Sequence, residues 1–133
     1  MELTKSPKSN RSKQGWREIG GKEYYFRSKW EANYARYLEF LKERKTIFDW
    51  KHEPQTFWFE GIKRGVVSYL PDFKVYTIKN THYWVEIKGY MDKRSLTKIK
   101  RFNKYFPNEF LIVIDKDWFA NSHTFRGFIK EWE

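Results

Sequence analysis

The alternation of apolar and polar positions divides the chain into short β-like stretches and two strongly helical ones. Trp16 to Phe26 reads as a hairpin that turns at Gly20-Gly21, a dipeptide suited to positive φ. Trp30, Tyr34, Tyr37, Leu38 and Leu41 then recur at helical spacing, predicting a helix from Ser28 to about Arg44. Ser28 is a natural N-cap, and Glu31 three residues later completes a capping box. On the helical wheel Glu31 falls at the edge of the apolar stripe, which predicts a half-buried carboxylate at the helix start. Ile47 to Phe59 is β-like around Pro54, and residues 60–65 form a turn. Val66 to Ile78 and His82 to Tyr90 predict two β-rich runs joined near Lys79-Asn80. Ser95 to Phe106 predicts a second helix, with Leu96, Ile99, Asn103 and Phe106 on one side and Lys98, Lys100, Arg101 and Lys104 on the other. Pro107 stops it. The continuous run Phe110 to Ile114 predicts a strand covered on both faces, and a short helix containing Phe125, Phe128 and Ile129 is expected at the end.

This order of elements predicts an α/β fold with a mixed sheet flanked by helices. A chain of 133 residues suits one domain, expected over residues 15–133, preceded by a flexible basic arm over residues 1–14. Seven Trp, nine Tyr and twelve Phe supply enough apolar area to hold so small a core, and any left at the surface are available to stack on bases. No apolar run approaches the ~20 residues that span a bilayer, and the polar N-terminus is no secretory signal. With no cysteine, disulfides and thiolate zinc sites are excluded, and a cytoplasmic location is expected.

Charge adds the first functional expectation. The formal net charge is +10, and it is clustered. Residues 1–29 hold eight Lys/Arg against three acids, and residues 88–104 hold seven against one. Clustered cations of this kind are the footprint of a phosphate-binding face, so a nucleic-acid partner is expected.

The second predicted hairpin carries the candidate chemistry. One strand holds Tyr69-Leu-Pro-Asp72-Phe73 and the next Val85-Glu86-Ile87-Lys88-Gly89. Residues two apart share a face of a strand, so Glu86 and Lys88 project together. Folding the hairpin about Lys79-Asn80 brings Asp72 opposite residue 87, give or take one, and close to Glu86. Two carboxylates so close repel unless a cation lies between them, and oxygen-only ligands suit Mg²⁺, with Mn²⁺ as a substitute. Glu31 joins them if the first helix packs on this sheet. Each residue also has a bland reading: Pro71-Asp72 as a turn, Glu86 and Lys88 as a surface pair, Glu31 as a capping acid.

Together, Phe26-Arg-Ser-Lys-Trp-Glu31, Tyr69-Leu-Pro-Asp72-Phe73 and Val85-Glu86-Ile87-Lys88-Gly89 resemble the PD-(D/E)XK nuclease superfamily. More narrowly they resemble small phage endonucleases of the junction-resolving endonuclease I type. The similarity extends over roughly residues 19–115. The resemblance implies a restriction-endonuclease-like three-layer core and a metal-dependent DNA endonuclease, in a phage-encoded chain acting in the bacterial cytoplasm. It implies Glu31, Asp72, Glu86 and Lys88 as the catalytic set. Asp72, Glu86 and the Ile87 backbone carbonyl would hold Mg²⁺, and Glu31 would reach it directly or through water. Arg27, Lys29, Lys93, Arg94, Lys98, Arg101 and Lys104 would lie near phosphates. Resolvases of this type often act as strand-exchanged dimers; a homodimer is therefore open here, although no segment resembles their bridge.

Within that reading, action on branched or structured DNA such as junctions or flaps, or nicking of duplex DNA, is preferred to cutting at a specific sequence, because little chain is left to read base edges. A homing or restriction-like enzyme is the alternative, as is a non-catalytic nucleic-acid-binding module on the same fold. An assembly protein of a nucleoprotein particle needs the charge but not the ordered acids. His52, His82 and His123 lack the close spacing of a histidine-metal nuclease.

Overall fold

The computed structural model describes residues 13–133. The basic arm expected over residues 1–14 thus lies outside the described residues, apart from Lys13 and Gln14, both exposed. Strands β1 (Gly15–Ile19) and β2 (Lys22–Phe26) form the expected hairpin, and Gly20 and Gly21 take φ of 61° and 84° at its turn. Helix α1 (Lys29–Glu43) follows, then β3 (Asp49–His52), β4 (Phe57–Trp58), β5 (Ser68–Tyr69), β6 (Phe73–Tyr76) and β7 (His82–Ile87). Helix α2 (Lys93–Tyr105), β8 (Leu111–Ile114) and α3 (Lys116–Ala120) complete the regular elements.

The central sheet has the order β3-β6-β7-β8. Its first three strands are antiparallel, and β8 pairs parallel to β7, with α2 as the crossover that a parallel pair needs. The molecule is therefore mixed α/β with a mixed sheet. Strand β7 is buried on both faces. Val85 and Ile87 pack with Ala32, Tyr34, Ala35 and Leu38 of α1, whereas Trp84 packs with Phe102 of α2 and with Phe57 and Tyr69 of the β4–β5 ribbon. Each aromatic-rich layer so covers one face of the strand that carries Glu86.

Five local expectations are corrected. The run Val66 to Ile78 is not one strand: β5 and β6 are separate, because Pro71 cannot donate to a ladder and the chain switches partner there. The second helix begins at Lys93, two residues early, because the Asp92 side chain accepts from the Ser95 amide at 2.7 Å and caps it. Its inner face is also rotated from the expected one. Phe102 is the fully buried anchor, while Leu96 is 46% exposed and Asn103 is exposed. Strand β8 lies at the sheet edge with Phe110 and Val113 exposed, so continuous apolarity did not mean cover on both faces. Finally, Phe125, Phe128 and Ile129 belong to no α-helix. Single 3-10 turns at Asn121–Thr124 and Arg126–Phe128 follow α3, and Ile129 is extended.

One polar contact in the core makes a sharp prediction. Trp84 is 1% exposed, and its Nε1 donates to Glu109 at 2.6 Å, while His82 Nε2 lies 2.9 Å from the same oxygen. Glu109→Leu strands the indole N–H, so a loss of about 1–3 kcal/mol is expected. Thermal melting checks it, and an unchanged midpoint would show that the indole finds another acceptor.

Candidate metal and catalytic site

Asp72 and Glu86 come together because β6 and β7 pair with Phe73 opposite Val85. That register, read one residue outward, sets Asp72 beside Glu86 at the end of the ribbon, within one residue of the expected alignment. The Asp72 carboxylate accepts the Ile87 amide at 2.7 Å, which fixes its direction. Glu86 is held from the other side: its Oε1 accepts the Tyr69 hydroxyl at 2.5 Å. Both acids are buried, as is Glu31.

Glu31 arrives on the first turn of α1. Ser28 Oγ accepts the Glu31 amide at 3.1 Å, as expected of an N-cap. The reciprocal half of the capping box is altered, since the Glu31 carboxylate accepts the Arg27 amide at 2.8 Å rather than that of Ser28. Glu31 is consequently both a capping acid and a neighbour of Asp72, within hydrogen-bonding reach of its carboxyl group. The two readings of this residue do not compete.

The electrostatics follow from burial. Desolvation first, then the charges of Glu86 and Glu31, push the Asp72 carboxyl well above its ordinary range; the Ile87 amide opposes this. Desolvation also raises Glu86, against the Tyr69 hydroxyl and the ammonium groups of Lys88 and Lys98. Burial and the adjoining Glu86 raise the Tyr69 phenol, so it stays a donor. Lys88 Nζ lies 3.5 Å from Glu86 Oε2. Its backbone amide donates to Ile114 at 2.9 Å, which extends the β7–β8 pairing to the lysine and fixes its root. Lys88 and Lys98 act on Glu86, and the Arg27 guanidinium acts on Glu31 and Asp72; carboxylate oxygens such as these are donors of the kind that suits Mg²⁺ or Mn²⁺.

All four expected acid and lysine residues are thus neighbours. The expected phosphate contacts divide. Lys93, Arg94 and Lys104 are exposed, and Lys98 is near enough to influence Glu86. Lys29 is half-buried. Arg27 is exposed but ion-paired with Glu53 at 2.5 Å, and an Arg101 guanidinium nitrogen donates to the Val66 carbonyl. Those two are held by internal hydrogen bonds, whereas among the described residues the Lys93 and Lys98 side chains are not.

Sequence reasoning assigned no role to Tyr69, His52 or Glu53. Tyr69 was legible in part, because a buried tyrosine three residues before Asp72 must find a partner for its hydroxyl. His52 was legible from alternation with the buried Trp50, two residues before it on β3. It packs 4.7 Å from the Phe26 ring and 5.3 Å from that of Phe73, and burial lowers its pKa. Glu53 carries no such signal. It takes φ of 48°, uncommon for a side chain with a Cβ, directly after β3 ends.

A family model described as a protein of unknown function, DUF1064, matches residues 11–125 of the chain. No curated protein matches it.

Proposed function

The chain belongs to the DUF1064 family, and we propose that it is a metal-dependent endonuclease that hydrolyses DNA phosphodiester bonds on a restriction-endonuclease-like core. One observation carries the reading: Asp72 is buried between Glu31 and Glu86, at a strand end that also supplies Lys88. Burying three acids together is costly unless a cation is part of the working site. A helix, three antiparallel strands, a crossover helix and a parallel strand arranged around those acids support the fold assignment.

Asp72 and Glu86 would hold Mg²⁺, with the Ile87 carbonyl and Glu31 completing the set. A divalent ion there supplies charge neutralisation at the phosphate and an acidified water. The remaining work falls to the chain. The Ile87 amide aims the Asp72 carboxylate, and the Tyr69 hydroxyl aims Glu86. Lys88, anchored beside Glu86, is placed to stabilise charge developing on a phosphate oxygen or to exchange a proton with the attacking water. Lys93 and Lys98 on α2 offer charge for the flanking backbone.

Branched or otherwise structured DNA, or duplex DNA that it nicks, is the proposed substrate class, and the cytoplasm is the proposed place of action. Among the described residues no helix is long and apolar enough to cross a membrane. Linear duplex, flap, four-way junction and single-stranded DNA, each in Mg²⁺ and in EDTA, test the proposal beside Lys88→Ala. Metal-dependent cutting that the variant loses is expected. Binding without cutting on every substrate would leave a non-catalytic nucleic-acid-binding module as the better reading. Replacing Lys93 and Lys98 together by Gln should weaken binding to all DNA sequences alike and lower the salt slope by about two units. An unchanged slope would move the DNA face off α2.

A further inference from the structure

Beside the Asp72–Glu86 pair the described residues hold a second cluster with different donor chemistry. A ring nitrogen of His52 and carboxylate oxygens of Glu31 and Glu53 lie within 4.8 Å of one another. Neighbouring residues on a regular strand point to opposite faces. His52 and Glu53 converge because the strand ends between them and Glu53 turns left-handed, at φ of 48°. The Glu53 amide then donates to the Asp72 carbonyl at 2.8 Å, which ties this corner to the loop bearing the first site.

The histidine is the unusual member. Its Nε2 is sealed from solvent and makes no hydrogen bond within the protein. A sealed imidazole nitrogen without a partner is costly, so its retention in a residue that adjoins two carboxylates asks for an acceptor of its lone pair or of its proton. The acids have partial partners only. Glu31 takes the Arg27 amide, and Glu53 takes the Arg27 guanidinium, which is itself largely exposed.

We propose that Glu31, His52 and Glu53 form a second divalent-cation site, which favours a later first-row transition-metal ion over Mg²⁺ because one of its donors is an imidazole. Imidazole nitrogen suits the later first-row ions, whereas carboxylate, carbonyl and water suit Mg²⁺. Glu31 lies between the two sites, in reach of Asp72 on one side and of His52 on the other. The inference deepens the nuclease proposal by giving its active centre two unlike cation positions, and rests on that reading only for the purpose of the second ion. Occupancy would displace the Arg27 guanidinium from Glu53 and release it toward solvent.

The test uses the full chain, freed of metal and titrated with Mn²⁺, with bound ions counted by the loss of free-Mn²⁺ signal and nitrogen coupling read by pulsed electron paramagnetic resonance. The wild-type chain should bind Mn²⁺ with an imidazole nitrogen coupling. His52→Gln should abolish the coupling, and Glu53→Gln should weaken the coupled ion by about tenfold or more. Glu86→Gln should leave the coupled ion in place while removing the other. Absence of nitrogen coupling in the wild type overturns the site, as does coupling that survives His52→Gln, which would put the ion on His82 or His123. If His52→Gln does not fold, Glu53→Gln decides: undiminished Mn²⁺ affinity overturns the proposal. DNA cleavage by the same samples separates the two readings. Coupling in a chain that cuts no DNA would keep the cation site and remove the nuclease, and cutting without coupling would do the reverse.

Discussion

Asp72→Asn is expected to lower metal-dependent DNA cleavage by on the order of 10³-fold or more and, at the same time, to stabilise the metal-free protein. The first effect follows from loss of the carboxylate that faces both Glu31 and Glu86. The second follows from the sign of its shift. A carboxyl whose pKa is raised on folding binds its proton more tightly in the native state, so stability falls as pH rises through the interval between its ordinary and its raised value. Burial and two neighbouring acids raise Asp72 well above 3.8, and Glu86 is raised above 4.5. In EDTA, Asp72 and Glu86 should therefore make the wild-type chain less stable at pH 8 than near pH 5.5. His52, whose pKa burial lowers, acts in the opposite sense in wild type and variant alike, so the difference between the two chains isolates Asp72. Asparagine keeps an oxygen for the Ile87 amide without the charge, so the variant should lose much of that dependence and gain about 1–2 kcal/mol at pH 8. Glu133 does not confuse the comparison. Hydrogen bonds from Arg17 and Arg36 hold it down to about 2, so its contribution is full above its ordinary 4.5 and is lost only as pH falls toward 2. Melting curves at the two pH values, with and without Mg²⁺, make the measurement. A lower midpoint for Asp72→Asn in EDTA at pH 8 would mean that the carboxylate is a structural partner and not a charge awaiting a cation.

What could be read from the chain beforehand depended on whether a short-range rule governed the position. The Gly20-Gly21 turn, the α1 stripe and the hairpin about Asn80, which takes φ of 65°, each obey one local rule and were legible. The pairing of Asp72 with Glu86 followed from hairpin register alone, since a period of two leaves few alignments. Elements set by tertiary context were not legible. Phe110 to Ile114 has the apolarity of a central strand, yet it lies at the sheet edge, because nothing in five residues says how many neighbours they acquire. Phe102 displaced Leu96 as the inner face of α2 because the partners that select it, Phe57 and Tyr69, come from a ribbon far earlier in the chain. The candidate site divides in the same way. Glu31, Asp72, Glu86 and Lys88 were found from strand and helix periodicity, whereas Glu53 depends on one left-handed residue, which no periodic pattern encodes.

Lys88→Ala carries the other large effect: cleavage should fall by on the order of 10³-fold while DNA and Mg²⁺ binding persist. The substitution is a clean one in structural terms. The Lys88 amide, not its side chain, holds the end of β7 to Ile114, so truncation leaves the pairing intact. What it removes is the ammonium 3.5 Å from Glu86, which opposes the effect of burial on that acid. Glu86 should then hold its proton to higher pH. With Glu86 in its ionised form, the loss of a positive charge from the site favours a divalent ion by simple electrostatics. The variant is thus expected to bind Mg²⁺ as well as or better than wild type and still fail to cut. Lys88→Arg distinguishes charge from proton exchange, because a guanidinium restores the charge but does not give up its proton. Recovery with arginine would assign the lysine to electrostatic stabilisation; failure of both variants, with metal binding intact, would assign it to proton exchange. Cleavage by Lys88→Ala at the wild-type rate would reduce the lysine to a counter-ion of Glu86 and remove it from the chemistry.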